Sequence, residues 1–182
     1  MSALCGMGVD NAVIEVDAPE IPIMDGSALP FVHLLKEAGT VAQGNGKKAL
    51  VVNREVSVSD PSGTASLLPA AEFKITYKID FPHPLIGQQS YEMVFSDAQY
   101  EKEIAPARTF GFLKDVEYLQ AKGLALGGSL KNAVVLDEKT IINKEGLRFH
   151  DEFVKHKILD AIGDLSLLGM PIVGHFVAYK SG

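Results

Sequence analysis

The chain has 182 residues, 47% of them hydrophobic, with a formal net charge of −6 and a pI of about 5.3. That is enough to bury a core in one large domain or one and a fraction. The acidic balance, with 17 scattered Lys and Arg, excludes the basic surface that nucleic-acid binding needs. A single cysteine, Cys5, excludes an internal disulfide and fits a reducing cytoplasm, and no apolar run approaches the roughly 18 residues of a membrane span.

MSALCGMGVDN opens the chain as a small-residue, helix-like turn without an N-cap, and FVAYKSG closes it just after a strand pattern, so both ends read as cut. NAVIEVD (11–17) alternates apolar and polar residues, which predicts a half-buried strand. IPIMDGSALPFVHLLKEAG then predicts a short helix, with Ser27 as N-cap, Leu34 and Leu35 as its apolar face and Gly39 as its stop. TVAQGNGKK (40–48), with Gly44, Asn45 and Gly46 in succession, is the best linker candidate.

Beyond it KALVVNREVSVSD, TASLLPA, EFKITYKIDF and SYEMVFS carry period-two stretches, separated by turn residues such as Asp60-Pro61-Ser62-Gly63. DAQYEKEIAPA predicts a helix capped by Asp97 and broken at Pro106. FLKDVEYLQAKG (112–123) predicts a second, with Leu113, Val116 and Leu119 or Gln120 along one side and Gly123 as its stop. NAVVLD and TIIN predict a short strand pair ending in the turn Asn143-Lys144-Glu145-Gly146. A long helix follows from about His150 to Leu168, then the strand PIVGHFVAYK. Antiparallel strands with a few helices imply an α+β fold, a helix layer packed on a sheet.

The chemistry concentrates in HKILDAIGDL (156–165). In a helix His156, Asp160 and Asp164 form one slanting stripe, since each step of four residues turns about 40° and climbs about 6 Å. Buried carboxylates and imidazoles need a partner, a proton or a metal. His156 and Asp160 at i and i+4 can reach one zinc ion, which accepts imidazole nitrogen and carboxylate oxygen. The same spacing also serves a histidine hydrogen-bonded to its helix neighbour, and the spacing by itself leaves both readings open. Among the other histidines, His83 in FPHP reads as a loop residue and His150 as solvated, while His33 and His175 read as structural. GLALGGS (123–129) lacks the residue order of a phosphate loop and reads as a tight turn. Cys5 has no activating neighbour and reads as buried, and Lys157 is either an exposed helix lysine or a charge beside an anionic substrate.

Taken together, DNAVIEVDAPEIPIMDGSALPFV, ARTFGFLKDVEYLQAKGLALGGSLKNAVVLDE, LRFHDEFVKHKILDAIGDL and VAYKSG closely resemble the UDP-3-O-acyl-N-acetylglucosamine deacetylase family of lipid A biosynthesis, in order and over nearly the whole length. The resemblance implies two α+β domains of helix-on-sheet layers with a zinc ion and the substrate between them. Here 1–46 would be the C-terminal part of the first domain and 47–182 most of the second, with a hydrophobic-passage insert around 112–136. It implies zinc ligation by His156 and Asp160, orientation of a catalytic histidine by Asp164, and oxyanion stabilisation by Thr109. Lys157 and Lys180 would sit near the UDP phosphates and Phe110 against the substrate. Leu113, Val116, Leu119, Ala125 and Ser129 would line the acyl passage. The family's general-base Glu and remaining zinc His precede a segment like SAL, and its second catalytic His follows KSG, so a chain with these limits is expected to be inactive alone. The implied partner is a small UDP-sugar carrying a fatty acyl chain, with no nucleic acid and no membrane span. The rival reading is a non-catalytic lipid- or protein-binding module, in which the His-Asp-Asp stripe is an internal hydrogen-bond network.

Overall fold

The structure is a computed structural model that describes residues 1–122 and 127–181, without the side chains of 117 and 119–121. Helices α1 (Ser2–Gly6) and α2 (Leu29–Ala38) precede five strands: β1 (Leu50–Val51), β2 (Val56–Ser59), β3 (Thr64–Leu68), β4 (Lys74–Phe81) and β5 (Gly87–Val94). Helix α3 (Asp97–Gln99) runs into a π-helical turn at Tyr100–Ile104, followed by β6 (Phe110–Phe112), α4 (Leu113–Ala121) and β7 (Val134–Leu136). Helix α5 (Glu152–Leu165) and a 3₁₀ turn at Ser166–Leu168 lead to β8 (Ile172–Val173) and β9 (His175–Tyr179).

The main sheet has the order β2-β3-β9-β4-β5, with β9 parallel to β4 and every other pairing antiparallel. Alternation in KITYKIDF explains its two faces: Ile75, Tyr77 and Ile79 point into the core, while Lys78 stays exposed on the other side. Helix α5 covers the inner face. Its Phe153, Val154, Ile158 and Ile162 are buried, recurring at the spacing of one helical face. Each such side chain contributes about 1.5–3 kcal/mol of burial, as an upper bound. The result is the expected α+β arrangement, one helix layer on one sheet.

Helix α1 packs through small residues on the π-helical turn and on α5: a Cβ at Gly6 would lie 2.1 Å from the Tyr100 ring, and one at Gly163 of α5 would lie 3.4 Å from the Ser2 nitrogen. The Tyr100 hydroxyl donates to Ser2 Oγ at 3.0 Å. No helix among the described residues is long and apolar enough to cross a membrane.

Several expectations fail for identifiable reasons. NAVIEVD is not a strand: it finds no partner strand among the described residues, and Val13 is 92% exposed. Helix α2 starts at Leu29 with Ala28 at the cap position, although Ser27 Oγ still accepts the Leu29 N–H at 3.3 Å. Its buried side chain is Val32, while Leu34 faces out, and Gly39 ends it as expected. Ser96 rather than Asp97 caps α3, its Oγ accepting from Gln99 N. The strand PIVGHFVAYK is split at Gly174: its first half pairs with β1 and its second joins the main sheet, and the close approach of Val52, 2.6 Å from where a Cβ would lie, keeps position 174 a glycine. Strand β7 meets Ile141 at a single bridge, and its ladder is instead parallel to β6. The predicted stop at Gly123 lies outside the described residues.

Candidate functional site

The N-terminal turn of α5 is held by a buried carboxylate. Glu152, fully buried, accepts from the Arg108 backbone N–H at 3.0 Å and from Arg108 Nε at 2.8 Å through Oε1. Its Oε2 accepts from Arg108 Nη2 at 3.2 Å and the Arg148 backbone N–H at 2.7 Å. Four donors satisfy both oxygens, and the hydrogen bond to Glu152 holds the Arg108 guanidinium above its ordinary pKa. Arg148 makes a second tie, donating to Asp25 Oδ2 at 2.7 Å and to the Pro106 carbonyl at 2.8 Å. Burial alone would raise the Asp25 carboxyl, but hydrogen bonds from Arg148 and Ser27 hold it below its usual range.

These ties bring three distant segments, 25–27, 106–110 and 145–152, against α5. Thr109 donates its N–H to the Gly26 carbonyl at 2.7 Å and accepts from Val134 N at 2.8 Å, which places it at the start of β6. Phe110 stands edge-on to His156, with ring centroids 6.4 Å apart, and edge-on to Phe153 at 4.9 Å.

One turn beyond Glu152, His156 is buried, and its Nδ1 lies 3.0 Å from the Ala107 carbonyl oxygen. A carbonyl can only accept, so Nδ1 carries the proton and Nε2 is the nitrogen left for other work. That Nε2 faces Asp160 Oδ1 at 3.4 Å, while Asp160 Oδ2 lies 3.1 Å from Lys157 Nζ. With Nδ1 protonated, a lone pair on Nε2 would confront a carboxylate oxygen. The contact is favourable only with a proton or a cation between them. Asp160 and Asp164 open onto a cavity of about 350 Å³ lined also by Tyr77, Lys157, Phe176 and Ser181. The Tyr77 hydroxyl donates to the Ser181 carbonyl, holding the turn after β9 against the cavity.

The structure thus gathers His156, Lys157, Asp160, Asp164 and Phe110 on and beside one helix edge, with Thr109 just before strand β6. Lys180 stands apart from this cavity: its Nζ lies 2.9 Å from Asp80, and that hydrogen bond raises its pKa. Leu113 is partly exposed at the start of α4 and Val116 is half-buried. Ser129 lies in a turn whose N–H donates to Asn132 Oδ1 at 2.8 Å. The side chain of Leu119 and the whole of Ala125 lie outside the described residues. No group of three or more His, Cys, Asp and Glu side chains among the described residues could hold a metal ion together.

Sequence reasoning missed Arg108, Glu152, Arg148, Asp25 and Tyr77. The available signal was a set of charges (Arg108 in ARTFGF, Glu152 in HDEFV) placed beside apolar residues that must be buried. His83, read as a loop residue, does lie in a turn but is buried. Its Nδ1 accepts from Leu85 N at 3.2 Å and its Nε2 donates to the Asp137 carbonyl at 2.9 Å.

The α+β domain thus sets a buried histidine one helical turn from an aspartate that opens onto a cavity, an imidazole nitrogen and a carboxylate oxygen 3.4 Å apart. The chain belongs to the UDP-3-O-acyl-N-acetylglucosamine deacetylase family: the family profile described as LpxC, UDP-3-O-acyl N-acetylglycosamine deacetylase, matches residues 1–182. It is 74% identical over 182 residues to a protein of that name from Syntrophus aciditrophicus (strain SB), covering all of this chain and 58% of the relative. It is 57% identical over 182 residues to one from Myxococcus xanthus (strain DK1622), again 58% of its length. With one from Shewanella sp. (strain W3-18-1) the identity is 58% over 183 residues, 60% of its length. The chain therefore spans less than two thirds of the length of these relatives.

Proposed function

We propose that the chain supplies the α5 half of a zinc-dependent deacetylase. The enzyme removes the N-acetyl group of UDP-3-O-(hydroxyacyl)-N-acetylglucosamine and releases acetate, a committed step of lipid A biosynthesis in the cytoplasm. The observation that carries this reading is the His156–Asp160 pair, in a chain of a family named for that reaction. Two donors about 2.0–2.1 Å from a tetrahedral zinc lie about 3.3–3.5 Å apart, and His156 Nε2 and Asp160 Oδ1 are separated by 3.4 Å. The Ala107 carbonyl directs the lone pair to the correct nitrogen, the usual arrangement behind a metal-bound imidazole.

Zinc held there would polarise the acetamide carbonyl and lower the pKa of a water toward neutrality. The protein's own groups do the rest. The Thr109 hydroxyl, at the start of β6, donates to the developing oxyanion. Asp164, at the cavity rim, orients a cationic imidazole. Lys157 offers its ammonium to the UDP phosphates while it steadies Asp160, and Lys180 does the same once it leaves Asp80. Phe110 covers the apolar side of the substrate. Leu113, Val116, Leu119, Ala125 and Ser129 line a passage for the acyl chain within 112–136. On this reading 1–46 belong to the first of two facing domains and 47–182 to the second.

Zinc titration tests the centre directly. Affinity should fall more than about 10-fold in His156→Ala and in Asp160→Ala, and equal binding by the wild type and both variants overturns the reading. Acetate release from the UDP-linked substrate by the full-length protein, lost in the same variants, tests the reaction.

A further inference from the structure

We infer that the buried Arg108–Glu152 pair is a positioning device that selects the metal-binding nitrogen of His156. The consequence for metal binding rests on the zinc reading above; the geometry does not. Arg108 is the residue after Ala107, whose carbonyl takes the Nδ1 proton of His156, and Glu152 is one helical turn before His156. A single carboxylate oxygen, Glu152 Oε1, grips both the backbone N–H and the Nε of Arg108. That double grip allows one register between segment 107–109 and α5, and in that register the Ala107 carbonyl faces Nδ1.

Stability alone does not account for the pair. Well-packed apolar residues of similar volume hold a core as firmly as a buried ion pair and often more firmly. An apolar pair would, however, let the two segments slide by a fraction of an ångström, since dispersion contacts carry no direction. The four hydrogen bonds of Glu152 do carry direction. If the register slips, the Ala107 carbonyl no longer distinguishes the two ring nitrogens, and the tautomer with its proton on Nε2 becomes populated. That proton occupies the position facing Asp160 Oδ1, and the nitrogen loses its lone pair as a ligand. The same segment carries Thr109, so the pair also sets where its hydroxyl stands.

The test uses ring-nitrogen NMR shifts of His156 in the metal-free 182-residue chain, well above the ordinary histidine pKa, together with Co²⁺ titration. The wild type should show the Nδ1–H tautomer in excess, the Ala107 carbonyl outweighing Asp160 across the ring. Arg108→Met/Glu152→Leu keeps the volume and removes both charges together, so no buried charge is left unpaired. It also takes the acceptor from the Arg108 and Arg148 backbone N–H groups, so it should melt lower, and it should show more of the Nε2–H tautomer and bind Co²⁺ about 10-fold more weakly. Glu152→Gln, nearly isosteric, covers the case in which the double variant does not fold, and should shift the tautomer ratio in the same direction. A folded variant of either kind that keeps the wild-type tautomer ratio overturns the inference, and so does a Glu152 variant whose only change is a lower melting temperature. Co²⁺ binding that survives His156→Ala would sink the zinc reading instead, leaving the tautomer ratio to decide on the pair by itself.

Discussion

Lys155 and Glu103 meet 2.9 Å apart beneath the surface of the helix layer, with the lysine side chain 6% exposed and the glutamate 29%. The ammonium also lies 3.1 Å from Asp151 Oδ1 and about equally above two rings, 4.7 Å from the centroid of Tyr91 and 4.6 Å from that of Phe149. Burial by itself would depress the lysine pKa, but Glu103 and Asp151 outweigh it and hold the value above the ordinary one.

Lys155→Met should therefore destabilise the chain by about 1–3 kcal/mol. That lies between a fully buried pair and an exposed one, because water can take up part of the Glu103 charge. The sign with pH follows from both partners. The lysine contribution is full below its ordinary value of 10.5 and is lost as pH rises through the raised folded value. Glu103, depressed by its hydrogen bond from Lys155, contributes above its ordinary value of 4.5 and loses that contribution as pH falls. Urea unfolding of wild type and variant across this range should show the difference between them flat in the middle and shrinking toward both ends. A difference unchanged at both extremes would mean that packing, not charge, holds Lys155.

Gly26 sets the approach of the MDGS turn to Thr109. Its φ is +83°, and a Cβ there would lie 2.0 Å from the Asn132 carbonyl oxygen, a backbone atom that cannot rotate away. Gly26→Ala should cost about 2–4 kcal/mol from strain and overlap together. Gly169→Ala, at φ +74° and ψ 9° with open space around it, should cost only about 1–2 kcal/mol. Equal losses at the two sites in chemical denaturation would show that the Asn132 contact carries nothing.

His175 sits in a chain of hydrogen bonds on the outer face of the sheet. The Thr76 hydroxyl donates its one proton to Glu92 Oε2 at 2.6 Å, so His175 Nε2, 2.7 Å away, must donate to Thr76. Burial, and then the nearby Lys74 charge, lower the His175 pKa below its ordinary 6.5. The unfolded chain thus takes up the proton first, and stability should fall as pH drops from about 6.5 toward the folded value. In His175→Gln that part of the slope should disappear from melting curves between neutral and mildly acid pH; an unaltered slope would rule the residue out.

The parts legible in the sequence are those that carry their own instructions. HKILDAIGDL is helical and one-sided by spacing alone, and KITYKIDF separates its faces by alternation, so α5 and β4 could be read locally. NAVIEVD carries the same alternation, but a strand exists only beside another strand, and none pairs with it among the described residues. The segment after α5 divides at Gly174 because its two halves pair with different strands, β1 and then β3 and β4, all far earlier in the chain, which no local pattern announces. The polar edge of the candidate site was visible as a stripe. Its support from Arg108, Arg148 and Asp25 was not, since charge pairing across such distances leaves no periodicity. His83 lies in the turn expected of it, but its burial was not legible for a related reason: the Asp137 carbonyl that its Nε2 meets comes from more than fifty residues away.

The position of β9 in the main sheet has a kinetic consequence. Strands β2 with β3 and β4 with β5 are neighbours in sequence and can form as hairpins as soon as they leave the ribosome. The strand that joins them begins at His175, long after β5 has ended at Val94. Until it arrives, β3 and β4 each present an open edge, and the apolar faces of Ile75 and Tyr77 wait uncovered for α5. Closing so large a loop is slow, and the intermediate is prone to pair with another chain. The central strand is therefore the last of the five to be translated, and the open edges of β3 and β4 persist through everything that lies between β5 and β9.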